Sequence, residues 1–437
     1  MHGTRETPGS PPPEESRHGY RRTGMIRALR RTMQVVAIIG TLLVGALALA
    51  LIVSQTPWFK DWLRRYVVRE SKQYVNGDLT IGGLGGNLLF GVDLTDVAVD
   101  VSGERVVAVR ALELDYSIYQ LITRGLVLSQ ITIDQPVLRV RRDAQGWNLA
   151  GLVKRESKEA DREGPGRPIS LPAIVITDGA MSIDDRTANP AVILPRRIDD
   201  LDVRVAFEYE PVHYTLTVEH IGFRGTSPAL TVGSLSGTLS LRDDNLYVEK
   251  MSIKTAESSL KIDGVIEQYL STPAVNVTST GNVSLPEIGR IVPVAAGYDL
   301  HPAIDIKAKG PAQKLALNLD VQSEAGKIKG QVLADVQAPD LGVRGDVDVE
   351  NLNLATLLKD PAQKSDLTGH AKLDVVMKST PAGAPAADRL AGTFSFAGPR
   401  VVAAGYEARN VQVSGKLDGP RITIDGRAGA YGGTATA

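Results

Sequence analysis

The stretch LTIGGLGGNLLFGVDLTDVAVDV, Leu79 to Val101, decides how the fold of this chain is interpreted. Five glycines fall within ten residues of it: Gly82, Gly83, Gly85, Gly86 and Gly91. A dinucleotide-binding fingerprint of the GxGxxG type opens a helix after a strand, but here Leu88 follows Gly83 and Gly85 in the place of the third glycine. The residues beyond Gly91 alternate between apolar and polar, with a slip at Thr95-Asp96. We therefore predict that the glycines lead into a strand, permit bends there, and bind no phosphate.

Alternation with a period of two dominates the chain from Gly77 onward. In LELDY, Leu112 and Leu114 lie on one face of a strand, and Glu113 and Asp115 lie on the other. Phase slips between successive apolar pairs indicate bulges or bends. Clean alternation favours antiparallel strands over a parallel sheet covered on both faces. The sequence predicts a mainly β fold: an antiparallel sheet of repeated amphipathic β units, with few short helices.

The N-terminus indicates a membrane anchor. Residues 1–34 are rich in proline, glycine and charge and are predicted to be a disordered, basic cytoplasmic segment, within which Met25 is an alternative start. The uncharged run Val35 to Val53 within the anchor, residues 35–55, spans about 28 Å at 1.5 Å per residue, close to a bilayer core. Arginines precede this run, so the N-terminus is expected in the cytoplasm and the bulk of the chain outside it, in a periplasm-like space. A cleaved signal peptide, with small residues at Ala46, Ala48 and Ala50, is the alternative.

The remaining chain divides into four predicted regions. Residues 56–76 form a membrane-proximal helix that opens at Thr56 and Pro57, and residues 77–153 form a first β region. Residues 154–168 form a charged linker, and residues 169–437 form repeated β units that we expect to be truncated at the C-terminus. Within them, short helical segments follow two similar openings, GNV at Gly281 and GDV at Gly345, which lie 64 residues apart.

Composition and motifs point away from an enzyme. The formal net charge of −1 provides no basic field for nucleic acid, and the absence of cysteine excludes thiolate chemistry. His213 and His220 lie near several glutamates, but their spacing fits no HExxH pattern. Asp346 and Asp348 start a weak calcium-loop pattern that lacks its glycine and its final glutamate. The sequence therefore predicts no catalytic residue, no metal and no cofactor.

The first 150 residues resemble the AsmA-like family, and most closely its TamB-type members. The resemblance rests on an N-terminal anchor, a short aromatic helix, GGLGGNLLFGVDLTDVAV from Gly82, and ITIDQPVLRVRRDAQGWNLAGL from Ile131. Five residues carry the second match: Pro136, Gly146, Trp147, Asn148 and Leu149. The resemblance implies an inner-membrane protein of a Gram-negative bacterium, with a long, twisted β-sheet that curls into an open apolar groove. This β-groove would bind phospholipid acyl chains and move them across the periplasm. For TamB-type members it also implies the alternative of a scaffold that assembles outer-membrane proteins with a TamA-like barrel partner.

These expectations define the candidate residues. The predicted lipid-groove residues are Val92, Leu94, Leu112, Leu114, Leu126, Leu128, Ile131, Ile133, Leu138 and Val140. The predicted groove entrance consists of Leu84, Leu88, Leu89 and Phe90, and the predicted structural turns are at Gly85, Gly86, Gly91, Pro136 and Gly146.

Overall fold

The computed structural model describes residues 20–117, 128–143, 146–152, 154, 168–187, 192–336, 340–378, 389–403, 405–430 and 433–436. The chain consists of two compact units, Met1–Leu63 and Arg64–Ala437. In the first unit, helix α1 spans Tyr20–Ser54, and its segment Ala37–Ser54 is long and apolar enough to cross a membrane. Length and composition suit an anchor and a signal sequence equally, so the anchor stays a prediction. Helix α2, Pro57–Glu70, begins in the first unit, where the Phe59 N–H donates to the Thr56 hydroxyl at 3.3 Å.

The second unit is built on strands. Its 21 strands are β1 (Asp78–Gly85), β2 (Gly91–Val101), β3 (Glu104–Tyr116), β4 (Leu128–Asp143), β5 (Gly146–Trp147), β6 (Ile169–Asp185), β7 (Arg197–Glu210), β8 (His213–Thr226), β9 (Leu230–Arg242), β10 (Asn245–Thr255), β11 (Ser259–Glu267), β12 (Ala274–Asn282), β13 (Ala303–Pro311), β14 (Leu315–Ser323), β15 (Gly326–Asp335), β16 (Leu341–Leu352), β17 (Ser365–Met377), β18 (Leu390–Ala403), β19 (Tyr406–Asp418), β20 (Arg421–Ala430) and β21 (Gly433–Thr436). All of them belong to a single sheet, so the expected mainly β fold is confirmed.

Nearly every strand pairs antiparallel with the next strand along the chain, and the described strands do not close into a ring. The expected antiparallel sheet is confirmed with one exception: β4 and β6 are parallel, with Ile131 opposite Ile174 and Arg142 opposite Asp185. A parallel pair needs a long crossover, which the chain between the two strands provides. The two-residue strand β5 folds back on the end of β4, where Trp147 pairs with Arg142.

Seven strands contain a polar residue in the left-handed backbone region, flanked by apolar or small residues spaced three apart. These residues are Asp96, Gln135, Asp178, Asp200, Lys250, Asn351 and Asn410, with φ between 48° and 53°. Leu94 and Val97 flank Asp96, and Val349 and Leu352 flank Asn351. A left-handed residue interrupts the alternation of side chains between the two faces of the strand. We therefore infer that the apolar residues on either side of it, three positions apart, point to the same face. The phase slip expected at Thr95-Asp96 therefore corresponds to a real backbone feature.

Two short helices connect strands at the same end of the sheet. Helix α3, Leu285–Ile291, joins β12 to β13 and is capped by the Ser284 hydroxyl, whereas helix α4, Leu354–Leu358, joins β16 to β17 and is capped by Asn353. Their caps are 69 residues apart, so the 64-residue spacing of Gly281 and Gly345 does not mark equivalent positions. Short 3-10 turns (Ser71–Gln73, Asn148–Gly151, Pro293–Ala295, Ala312–Lys314 and Pro361–Gln363) complete the described helical structure.

The left-handed residue Asn351 provides a test of the strand interruptions. We expect Asn351→Val to lower the free energy of unfolding by about 1–2 kcal/mol, because a β-branched side chain is strained in this backbone region. Asn351→Gly should leave stability close to that of the wild type, because glycine adopts this backbone region readily. Both variants keep the backbone N–H that donates to the Thr368 hydroxyl at 3.1 Å. Urea unfolding of the purified chain provides the comparison, and equal stability of the two variants would contradict the interpretation.

Candidate functional site: the apolar face of the sheet

A row of apolar residues crosses the sheet from β1 to β16, and Gly281 is its one member without a side chain. Residues directly opposite each other on paired strands point to the same face. Each member of the row stands opposite the next: Leu84, Leu94, Leu112, Ile133, Ile176, Val203, Ile221, Leu235, Ile253, Leu260, Gly281, Ile304, Val321, Ile328 and Val349. The row belongs to one face of the sheet and contains no polar side chain. It forms the centre of the candidate site.

The register places the predicted groove residues relative to this row. Three of them, Leu94, Leu112 and Ile133, belong to it, and a parallel row contains Val92, Leu114 and Ile131. Leu128 pairs with Tyr116, at the start of β4. Leu138 and Val140 lie beyond the left-handed Gln135 and stand opposite Met181 and Ile183 of β6. Leu126 lies outside the described residues.

The exposure of these side chains distinguishes a covered from an open face. Eight of the nine described groove residues are half-buried, and only Val140, 9% exposed, counts as buried. Residues in the interior of a closed domain core are commonly fully buried. Within the described part of the chain, this region of the apolar face is therefore screened but not sealed.

The face is covered more completely near β15 to β17. Val332, Val347, Val349 and Leu352 form a buried cluster, each at most 9% exposed. Leu354 and Leu357 of α4 pack against this cluster, together with side chains of the neighbouring strands: Leu317, Leu319, Ile328, Leu367, Ala371 and Phe396. The apolar face thus has a covered region beneath α4, while in β2 to β4 the half-buried groove residues lie beside buried side chains such as Val97 and Val99, 8% and 9% exposed.

The predicted entrance residues lie at the turn between β1 and β2. Leu84 is in β1, whereas Leu88, Leu89 and Phe90 are in the turn itself, where Phe90 is 65% exposed. The Tyr116 hydroxyl donates to the Leu88 carbonyl at 2.7 Å and ties the turn to the end of β3. Partial burial raises the pKa of Tyr116, so its hydroxyl stays a donor at neutral pH.

The predicted structural turns divide into two groups. Gly86 has a φ of +80° in the β1–β2 turn, and Gly146 has a φ of +112° at the start of β5. Gly85 is the last residue of β1 and Gly91 the first residue of β2, on either side of that turn, whereas Pro136 lies within β4 next to the left-handed Gln135. The sequence alone does not separate these positions from turns, because a strand that contains glycine or proline resembles a turn in sequence.

The segment from Ile131 to Leu152 owes its local structure to Asn148. Its side-chain oxygen accepts from the Arg141 N–H at 2.9 Å, and its amide donates to the Arg139 carbonyl at 3.0 Å. Arg142 lies over the Trp147 ring, 5.3 Å from its centroid. These contacts fix the fold-back of β5 onto β4, so we assign this motif a structural role.

The opposite face of the sheet is polar and contains shallow hollows. One hollow of about 600 Å³ is lined by Asp346, Asp348 and His370 together with polar residues of β13 to β15. His370 Nδ1 lies 2.8 Å from Asp348 Oδ1, and its Nε2 lies 3.2 Å from Asp346 Oδ1. These two aspartates came from the weak calcium pattern, and here they pair with a histidine across strands. No group of three or more histidine, cysteine, aspartate or glutamate side chains that could hold a metal ion occurs among the described residues, including those around His213 and His220.

The comparisons with known proteins add no assignment. No family model, no curated protein and no solved structure matches this chain. The resemblance to the AsmA-like family therefore rests on the residues themselves.

The β1–β2 turn provides a second prediction. We expect Gly86→Ala to destabilise the chain by about 1–2 kcal/mol, because alanine is strained at positive φ and its Cβ would approach the Asp93 nitrogen to 3.0 Å. Gly85→Ala is the matched control, because a Cβ there makes only an ordinary contact at 3.8 Å with Asp93. Its stability should be unchanged or slightly higher. Urea unfolding measures both variants, and an equal loss at both positions would contradict a turn that requires glycine at Gly86.

The histidine between two aspartates provides a pH-dependent prediction. Hydrogen bonding to Asp348, followed by that to Asp346, raises the pKa of His370 above its usual value. Its stabilising contribution is therefore complete below the pKa of an unfolded histidine and is lost as the pH rises through the raised folded pKa. Other charged groups near it include Lys372, which pairs with Asp346 at 3.4 Å, and Lys329, which stands opposite Asp348. Ala397 faces His370 from β18.

We expect His370→Asn to remove this component from the pH dependence of the thermal unfolding midpoint. The measurement compares wild type and variant between pH 5 and 9 in one buffer series. An identical pH dependence in both proteins would show that the interaction does not contribute to stability.

Proposed function

We propose that this protein is anchored in the inner membrane and uses the apolar face of its sheet to bind phospholipid acyl chains, which it transfers between the inner and outer membranes. The observation that carries this proposal is the apolar row across the sheet, whose predicted groove members are half-buried. The apolar segment Ala37–Ser54 supports the anchor. The resemblance to the AsmA-like family supports the choice of phospholipid.

The energetics of such binding follow from the apolar face alone. Burying one methylene contributes about 0.8 kcal/mol, so an acyl chain laid along adjacent rows gains affinity with each carbon that it buries. The contribution is non-directional, and a row of similar leucine, isoleucine and valine side chains offers near-equivalent positions to a sliding chain. The polar headgroup stays in water at the margin of the site. Movement of this kind requires no nucleophile, general base or bound nucleotide from the chain.

Two features shape how far the site extends. The cluster beneath α4 is closed by Leu354 and Leu357, so the proposed lipid surface comprises the half-buried rows of β2 to β4 and the strands that continue them. The curl that would turn this surface into a groove is part of the proposal. The hollows of the polar face, lined by charges of both signs, do not suit an acyl chain.

Site-specific photocrosslinking tests the proposal within one strand. A photoreactive amino acid at Leu112 or Leu114 should crosslink phospholipid in membranes, whereas the same probe at Glu113 or Asp115 should not, because alternate residues point to opposite faces. Mass spectrometry of the purified adducts identifies the lipid. Equal lipid adducts at all four positions, or adducts at none, would exclude the apolar face as the lipid-binding surface.

A scaffold for outer-membrane protein assembly is the second candidate function. The observation that favours it is β1, Asp78–Gly85, which pairs only with β2 among the described strands and so leaves one edge for strand addition. A client strand or a TamA-like barrel partner would then pair with its backbone. Probes on β1 would crosslink to protein in that case, while Leu112 and Leu114 would give no lipid adduct.

A further inference from the structure

The connection formed by α3 contains a buried carboxylate in which only one of the two oxygens has hydrogen-bond partners. Glu287 is 1% exposed and Ser284 is fully buried. The Glu287 Oε2 atom accepts from the Ser258 hydroxyl at 2.7 Å and also from the Thr255 hydroxyl. Its Oε1 atom is buried and has no hydrogen-bond partner among the described residues.

The charge of Glu287 is also uncompensated. Arg290 donates to Glu257 at 3.0 Å, and no ion pair to Glu287 occurs among the described residues. Burying an ionised carboxylate without a counter-charge is costly, so such groups are usually paired or coordinate a metal. A cation at Oε1 would supply both the missing partner and the missing charge.

The surrounding donors are all oxygens. The Ser284 hydroxyl donates to Glu257 Oε2 at 2.7 Å and accepts from the Glu287 N–H at 3.2 Å, which brings a second carboxylate to the cluster. The Ser258 hydroxyl accepts from the Ser284 N–H at 3.0 Å. Hydroxyl hydrogens rotate freely, so these oxygens can also face a cation. Carboxylate and hydroxyl oxygens without nitrogen or sulfur favour a hard cation, and an irregular arrangement suits Ca²⁺ better than Mg²⁺.

We propose that Glu287, with Glu257, Ser258, Ser284 and Thr255, binds a single Ca²⁺-class cation that fastens α3 to the turn between β10 and β11. The residues come from three places in the chain: the end of β10, the turn after it and the start of α3. The cation therefore links the hairpin formed by β10 and β11 to the connection between β12 and β13. This role is structural and is independent of lipid binding.

The test uses the full chain purified in detergent, stripped with a chelator and titrated with Ca²⁺, Mg²⁺ or K⁺. Ca²⁺ should raise the thermal unfolding midpoint, and a concentration 100 times the dissociation constant should shift the folding equilibrium about 100-fold. Glu287→Gln keeps the shape and the acceptor for both hydroxyls but removes the charge, so its response to Ca²⁺ should be lost. Glu267→Gln, at an exposed position at the end of β11, is the matched control and should respond like the wild type.

Metal analysis of the untreated wild type makes the test independent of how well the variant folds. About one equivalent of Ca²⁺ per chain, lost after chelation together with thermal stability, supports the site. The proposal is overturned if the wild type neither contains a cation nor responds to one. It is equally overturned if Glu287→Gln responds to Ca²⁺ as strongly as the wild type does.

Discussion

Each strand of the sheet is held to its neighbours by backbone hydrogen bonds, and the register of that pairing decides which side chains share a face. A slip of one residue between any two strands would move the apolar set of one strand to the polar face. The row from Leu84 to Val349 exists only because the register is maintained through every intervening pair. The left-handed residues protect it, because they absorb the odd spacing between apolar residues such as Leu94 and Val97 without inverting the face.

A single sheet with one apolar face leaves that face exposed to water unless another layer covers it. A domain normally buries such a face against a second layer. Here the described second layer consists of short pieces, and only α4 brings leucines onto a buried cluster. Elsewhere the row is only partly covered in β2 to β4, where Leu94 and Leu112 are half-buried beside the buried Val97. An apolar partner that covers the remaining exposed apolar area would lower the free energy, because apolar surface is removed from water.

The sequence predicts the periodic parts of this structure well and the pairings between distant segments poorly. Alternation in LELDY indicates both the strand and the face of Leu112, because period two is a local property. The parallel pairing of Ile131 with Ile174 could not be predicted, since it depends on a long crossover between segments that look alike. For the same reason the sequence around Glu287, in the first turn of α3, does not indicate that the fold surrounds this side chain with hydroxyls. Register and burial depend on contacts between segments that are distant in sequence, so no local sequence pattern indicates them.

The two helical connections have equivalent positions in the fold but different side-chain chemistry. Both α3 and α4 follow a strand at the same end of the sheet, and Lys359 joins their surroundings by donating to the Ala296 carbonyl at 2.5 Å and lying over the Tyr298 ring. Helix α4 covers apolar surface with leucine, whereas α3 buries a carboxylate among hydroxyls. The apolar face is therefore interrupted by a buried cluster between β4 and β17. Because Leu354 and Leu357 pack against that cluster, the position of α4 limits how far the less covered part of the face extends.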